Sequence, residues 1–221
     1  MTRVLAVASE KDGESKTNVV ANLVFAHTKL PKNVLVMDAD LSLESLNILL
    51  GWAPRYTLAH LFLGAKSLGE IIIEGPGGMC ILPASSGVQQ PRNLSTEQKS
   101  AFLAEIDRFD ETGDVMLIDT GPGIAGNLLY FAIAAQEITG VMCPEPMAIA
   151  SACGCMKVLA CEHSHRKFQL LVNAVATAHE REMVFQTLQL TTQQSLDIEI
   201  YLPQVDSARY SRRESRQTVE T

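Results

Sequence analysis

Short apolar runs recur along the chain, at Val4–Ala8, Val34–Met37, Met79–Leu82, Val115–Ile118, Ile138–Cys143, Gln169–Val172 and Ile198–Leu202. Apolar and polar positions barely alternate within them, the pattern of strands covered on both faces. Longer segments lie between: Thr17–Lys29, Thr96–Phe109, Asn127–Ala135, Ile149–Cys161 and Glu180–Leu190. Each is long enough for a helix. Strands alternating with helices predict an α/β fold, a mostly parallel twisted sheet flanked by helices on both faces. Ligands of such folds sit at the carboxyl ends of the strands. No repeat or linker divides the chain, so residues 1–206 read as one α/β domain. Residues 207–221 carry Arg209, Arg212, Arg213 and Arg216 but no apolar face, and are expected to fray.

Composition narrows the function classes. With 221 residues and 47% hydrophobic residues, the chain can bury a full core without disulfides or metals. Acids outnumber bases 25 to 18, a net charge of −7, so nucleic acid is not an expected partner. The opening MTRVLAVAS reads as a buried strand rather than a signal peptide. No run of eighteen uncharged apolar residues exists, so no membrane span is expected. The five cysteines are odd in number and lack a secretory context, which fits reduced thiols in the cytoplasm.

Three segments carry candidate chemistry, each directly after a predicted strand. The first is Glu10-Lys11-Asp12-Gly13-Glu14-Ser15-Lys16-Thr17. A phosphate loop reads G-x-x-x-x-G-K-[ST], where glycines let backbone N–H groups wrap phosphate, Lys pairs with it and Thr reaches Mg²⁺. Lys16 and Thr17 are in place, whereas Glu10 and Ser15 stand where the glycines belong. An ordinary strand-to-helix turn fits this segment as well. The second is Asp38-Ala39-Asp40, whose carboxylates could serve Mg²⁺ and an attacking water, or cap a helix. The third is Val115–Ile124, an apolar strand ending in Asp119 and a Gly121-Pro122-Gly123 loop. Metal binding or a plain turn would explain it. Three such segments in this order make plain turns a poor explanation for the set.

Together these motifs resemble the MinD/ParA group of deviant-Walker P-loop ATPases, whose extra early lysine matches Lys11 and whose acidic pair matches Asp38 and Asp40. The flagellar-number regulators (FlhG/FleN-like) are the nearest subgroup. Their DADLGLANVDVLLG-like stretch is matched by DADLSLESLNILLG at Asp38–Gly51. Further similar pieces are Leu82–Gly87, Cys143–Pro146, Met156–Leu159 and Leu171–Asn173. The resemblance implies an ATP-driven switch in which two subunits sandwich the nucleotide. Lys11 would reach the partner's phosphates. Gly13, Lys16 and Thr17 would hold phosphate, and Thr17, Asp38 and Asp119 would hold Mg²⁺. Asp40 would position the attacking water. Asn173 and Pro203 would contact the base. The dimer would form with a second copy or an intact relative, and a flagellar or polarity protein would be the further partner.

The chain departs from that group in the phosphate loop. A typical loop reads GKGGVGKT; here it reads EKDGESKT, two lysines against three acids. The loop charge moves from +2 to −1 against a polyanion. One like-charge pair at about 6 Å and an effective dielectric near 20 costs about 3 kcal/mol, roughly a hundredfold in affinity. Glycine-type angles at Glu10, Asp12 or Ser15 would add about 1–3 kcal/mol each. The loop is therefore expected to relax into another shape and lose its anion nest. Ser42, Ser45, Asn47 and Ser151 replace other residues usual in the group. The chain also starts at its first strand and ends without an apolar stripe, so the resemblance does not carry an expectation of membrane binding, and stimulation of a partner GTPase is not expected either.

Two functions follow as expectations. One is a regulatory ATPase of flagellar number or cellular placement, with weakened or lost ATP binding and hydrolysis. The other is a non-hydrolysing scaffold that kept the fold and acts through a protein partner. A nicotinamide dehydrogenase fails for want of G-x-G-x-x-G after the first strand. The cluster Cys153, Cys155, Cys161, His163 and His165 looks metal-like. Cysteines two apart on a helix, however, point roughly 200° apart and cannot share one ion. Trp52 fits a packed or interface aromatic better than a cofactor stack.

Overall fold

The computed structural model describes residues 3–9, 11, 13–30, 33–39, 54–75, 78–83, 95, 97, 98, 100, 102, 104, 105, 114–121 and 135–202. Its strands are β1 (Arg3–Ala8), β2 (Val34–Ala39), β3 (Ile73–Glu74), β4 (Cys80–Leu82), β5 (Val115–Thr120), β6 (Glu137–Met142), β7 (Lys167–Val172) and β8 (Glu199–Tyr201). The helices are α1 (Lys16–Thr28), α2 (Leu58–Phe62), α3 (Leu68–Ile71), α4 (Pro146–His163) and α5 (Ala178–Leu196).

These strands form one sheet in the order β3-β4-β2-β5-β1-β6-β7-β8. Every pairing is parallel except β3 with β4. The α/β class and the mostly parallel sheet expected from the apolar runs are what the chain adopts. Because β1 lies between β5 and β6, successive strands depart to opposite sides of it. The loop leaving β1 therefore opens into the crevice where strand order reverses.

Side-chain alternation divides the core between the two sheet faces. Val34 and Val36 of β2, Val115 and Leu117 of β5 and Val7 of β1 pack with Val20 and Val24 of α1. The opposite face carries Leu35, Met37, Met116, Ile118, Phe168 and Leu170, and is covered by Met156 and Leu159 of α4 and by Val184 and Leu188 of α5. Strands buried on both faces lose the polar–apolar alternation, which is why they read as continuous apolar runs.

Helix ends follow their cap residues rather than the apolar stripe. Pro146 occupies the first turn of α4, where a proline lacks nothing the helix needs. It moves the start three residues ahead of the expected Ile149. The Thr177 hydroxyl accepts from the Glu180 N–H at 3.1 Å and starts α5 at Ala178. Helices α2 and α3 were not expected from the pattern, being shorter than the periodicity needs. Their starts are nonetheless written locally: Ser67 and Glu70 make a reciprocal capping box, as do Thr57 and His60. Within the expected helix Thr96–Phe109, residues 97, 98, 100, 102, 104 and 105 are helical. Residues 127–134 of the expected Asn127–Ala135 helix lie outside the described residues, as does Trp52. Among the described residues no helix is long and apolar enough to cross a membrane.

Candidate functional site

The segment between β1 and α1 sits at the strand-order reversal, with the ends of β2 and β5 on one side and those of β6 and β7 on the other. Ser9 donates from its hydroxyl to the Lys11 carbonyl at 2.9 Å and tightens the turn out of β1. Gly13 follows at φ 82° and Ser15 at φ 66°, ψ 31°. Both are left-handed. The expected relaxation of the loop therefore does not occur at Ser15, which takes the glycine-type angle itself. The cost to a residue with a Cβ is about 1–2 kcal/mol.

That angle has a chemical consequence. A serine before a helix normally adopts an extended backbone and caps the first turn with its hydroxyl. Left-handed Ser15 makes no such cap, and its carbonyl instead starts the helix by accepting from the Val19 N–H at 3.0 Å. No acid lies in the first turn of α1. The positive end of the helix is thus left facing the crevice, the usual setting for an anion. Lys16 opens this turn and is 5% exposed; Thr17 beside it is half-buried.

Asp38 and Asp119 approach from the other side. They follow Val34 and Val36 in β2, and Val115 and Leu117 in β5, so alternation puts both on the face that α1 covers. The two are register partners on adjacent strands and are fully buried. Carboxylates side by side in a dry setting repel, and a divalent cation offsets that repulsion. These carboxylates, and the hydroxyl of Thr17 in the first turn of α1, are hard oxygen donors of the kind that Mg²⁺ takes. Thr120 donates to the Val7 carbonyl at 2.9 Å and fixes β5 against β1 just beyond Asp119.

Asn173 ends β7. Its backbone N–H donates to the Met142 carbonyl at 2.7 Å, and its side-chain amide donates to the Glu14 carbonyl at 3.2 Å. The candidate base contact is thereby tied to the candidate phosphate loop. Lys11 lies on the surface and pairs with Glu145, the N-cap of α4, at 3.0 Å. That partner raises the Lys11 ammonium above the ordinary lysine value.

Of the residues singled out from the sequence, Lys11, Gly13, Lys16, Thr17, Asp38, Asp119 and Asn173 gather at this one end of the sheet. Asp40 and Pro203 lie outside the described residues, as do Glu10, Asp12, Ser42, Ser45 and Asn47. Cys153, Cys155 and Cys161 lie along α4, with His163 at its end. Among the described residues no three His, Cys, Asp or Glu side chains gather as a metal site. Burial raises the Cys153 thiol, and burial together with Glu14 and Glu145 raises that of Cys143, so both stay protonated near neutrality.

One residue here was not foreseen. Glu14 is 3% exposed, and its Oε1 accepts from the Cys143 N–H at 3.4 Å. The sequence signal was its position, since the resembling loops carry apolar valine there.

Comparison with known proteins places the chain. No family model matches it. It superposes on the septum site-determining protein MinD of Pyrococcus horikoshii complexed with Mg-ADP at a TM-score of 0.69 and 22% identity, over 90% of this chain and 79% of that one. This likeness speaks for the fold. The chain is 32% identical over 187 residues to the flagellum site-determining protein YlxH of Helicobacter pylori, covering 82% of this chain and 60% of YlxH. To the antiactivator FleN of Pseudomonas aeruginosa it is 36% identical over 196 residues, covering 89% of this chain and 70% of FleN. The chain belongs to the MinD/ParA family.

Within the phosphate loop the departures from MinD/ParA proteins that the structure describes are Glu14 and Ser15, and Ser151, a further departure, lies in α4. Replacing Ser15 with glycine removes the left-handed strain but frees the unfolded chain, which returns about 0.5–1 kcal/mol. A net gain of about 0.5–1 kcal/mol is expected for Ser15→Gly, a rise of roughly 1–4 °C in Tm. Thermal unfolding checks it, and a lower Tm would mean that Ser15 is not left-handed in solution.

Proposed function

We propose that this chain is a regulatory protein of MinD/ParA type that governs flagellar number or cellular placement and binds Mg·ATP more weakly than a glycine-rich loop would. The observation that carries the reading is the convergence of Lys16, Thr17, Asp38 and Asp119 on a loop whose Ser15 keeps the left-handed shape. Lys16 and the first-turn N–H groups of α1 hold the phosphates. Thr17, Asp38 and Asp119 hold Mg²⁺, which when bound neutralises phosphate charge. Asp40 orients the attacking water, and Asn173 and Pro203 meet the base. Lys11 leaves Glu145 to reach the nucleotide of a second subunit, so nucleotide and dimer are coupled. Residues 1–206 act as one domain, and the protein works in the cytoplasm. The likeness to FleN and YlxH supports the flagellar role; the Mg-ADP in the MinD neighbour supports the ligand.

A second reading, a scaffold that no longer turns over ATP, is favoured by one feature. The loop carries three acids, of which Glu14 is buried in it. Calorimetric titration separates the two. Changing Glu10, Asp12 and Ser15 together to glycine removes two like charges and the backbone strain. It is expected to raise Mg·ATP affinity tenfold or more over the unaltered chain. Equal affinities would overturn the charge argument. No binding by either protein up to millimolar nucleotide would leave the scaffold.

The biological half of the reading is tested separately. Deleting the gene in its host is expected to change the number or position of flagella counted by electron microscopy. An unchanged count would remove the flagellar role.

A further inference from the structure

Glu14 is an acid in an inward-facing place, between two left-handed residues, Gly13 and Ser15. Its surroundings do not satisfy its hydrogen-bonding oxygens fully. Oε1 accepts one long hydrogen bond from the Cys143 N–H, at 3.4 Å, while buried Oε2 has no partner among the described residues. A half-satisfied buried carboxyl is unfavourable by itself. One of its two contacts nevertheless does something that a valine could not: the side-chain bond, since any residue's carbonyl could accept from Asn173. Through the side chain Glu14 is fastened to the residue after β6, and through its carbonyl, by Asn173, to the residue after β7. Both anchors sit at the ends of parallel strands that pair from Ile138 to Met142. The neighbour so restrained, Ser15, is the one whose backbone resists its angle.

We propose that Glu14 is a positioning residue: a strap from the phosphate loop to the ends of β6 and β7 that holds Ser15 left-handed without the help of glycine. The inference deepens the nucleotide reading above and rests on it for its purpose, though not for its test. A glycine at position 15 needs no restraint, so the strap matters only while Ser15 is present. Glu14 and Ser15 are then a coupled pair of departures, the acid compensating the loss of glycine. The strap also gives Asn173 a second role. One amide both faces the base position and steadies the loop, so the two halves of the site move together.

The test uses the full chain without nucleotide and reads amide hydrogen exchange by NMR. The informative amide is that of Val19, whose bond to the Ser15 carbonyl depends on the Ser15 angle. Glu14→Val is expected to speed exchange at Val19 and Cys143 at least fivefold while Leu117, in the central strand, stays within twofold. Glu14→Gln keeps the Oε1 acceptor and is expected to stay within twofold at all three. In a Ser15→Gly background, Glu14→Val is expected to change Val19 exchange by less than twofold. A smaller effect on the unaltered loop, or an equal effect with and without Ser15, would overturn the strap. A parallel Mg·ADP titration is expected to show at least fivefold weaker binding for Glu14→Val than for Glu14→Gln, two variants that lose the same buried charge and differ in the bond to Cys143. If the unaltered chain binds no Mg·ADP, the nucleotide reading fails while Val19 exchange still decides the strap.

Discussion

The left-handed turn at Ser15 governs everything around it. It orients the first turn of α1 toward the crevice, denies the helix its serine cap and places Lys16 and Thr17 opposite the ends of β2 and β5. A right-handed angle at this residue would carry the helix start away from Asp38 and Asp119. The sheet makes the turn possible. With β1 held between β5 and β6, and Thr120 bonded to the Val7 carbonyl, the strand that launches the loop cannot tilt.

Charge opposes the same arrangement. A polyanion in this crevice meets Lys16, Lys11 and the helix end, but also the acids of the loop. Burial decides how much each counts. Glu14 is out of water, where its field is weakly screened, whereas Lys11 and its partner Glu145 are solvent-exposed and contribute little as a pair. In the proposed reading, the favourable charge near the phosphates would rest on Lys16, which is buried, and on a divalent cation beside Asp38 and Asp119. In this reading the metal matters more to nucleotide binding here than it would beside a loop without acids.

Much of this was legible along the chain. Seven apolar runs marked seven of the eight described strands, because strands buried on both faces have nowhere to put polar residues. The exception was β3, whose two residues pair antiparallel at the sheet edge and are too few to show a period. Asp38 and Asp119 were legible because a charged residue abruptly ends an apolar run, and Lys16 because it precedes Thr17 as in a phosphate-loop pattern. The shape of the loop was not. Composition argued that serine would refuse a left-handed angle, and local propensity did argue so. What overrode it lies in residues 143 and 173, far along the chain, whose approach to Glu14 no spacing rule records. The partner of Lys11 was hidden for the same reason, since Glu145 reaches it only once β6 lies beside β1.

A crystal structure of the chain grown with Mg·ADP tests the central claim most directly. The diphosphate is expected over the first turn of α1, the metal between Thr17 and the Asp38–Asp119 pair, and Ser15 at a positive φ near 60°. A loop opened away from β6, with Ser15 at negative φ and no nucleotide in the crevice, would contradict it.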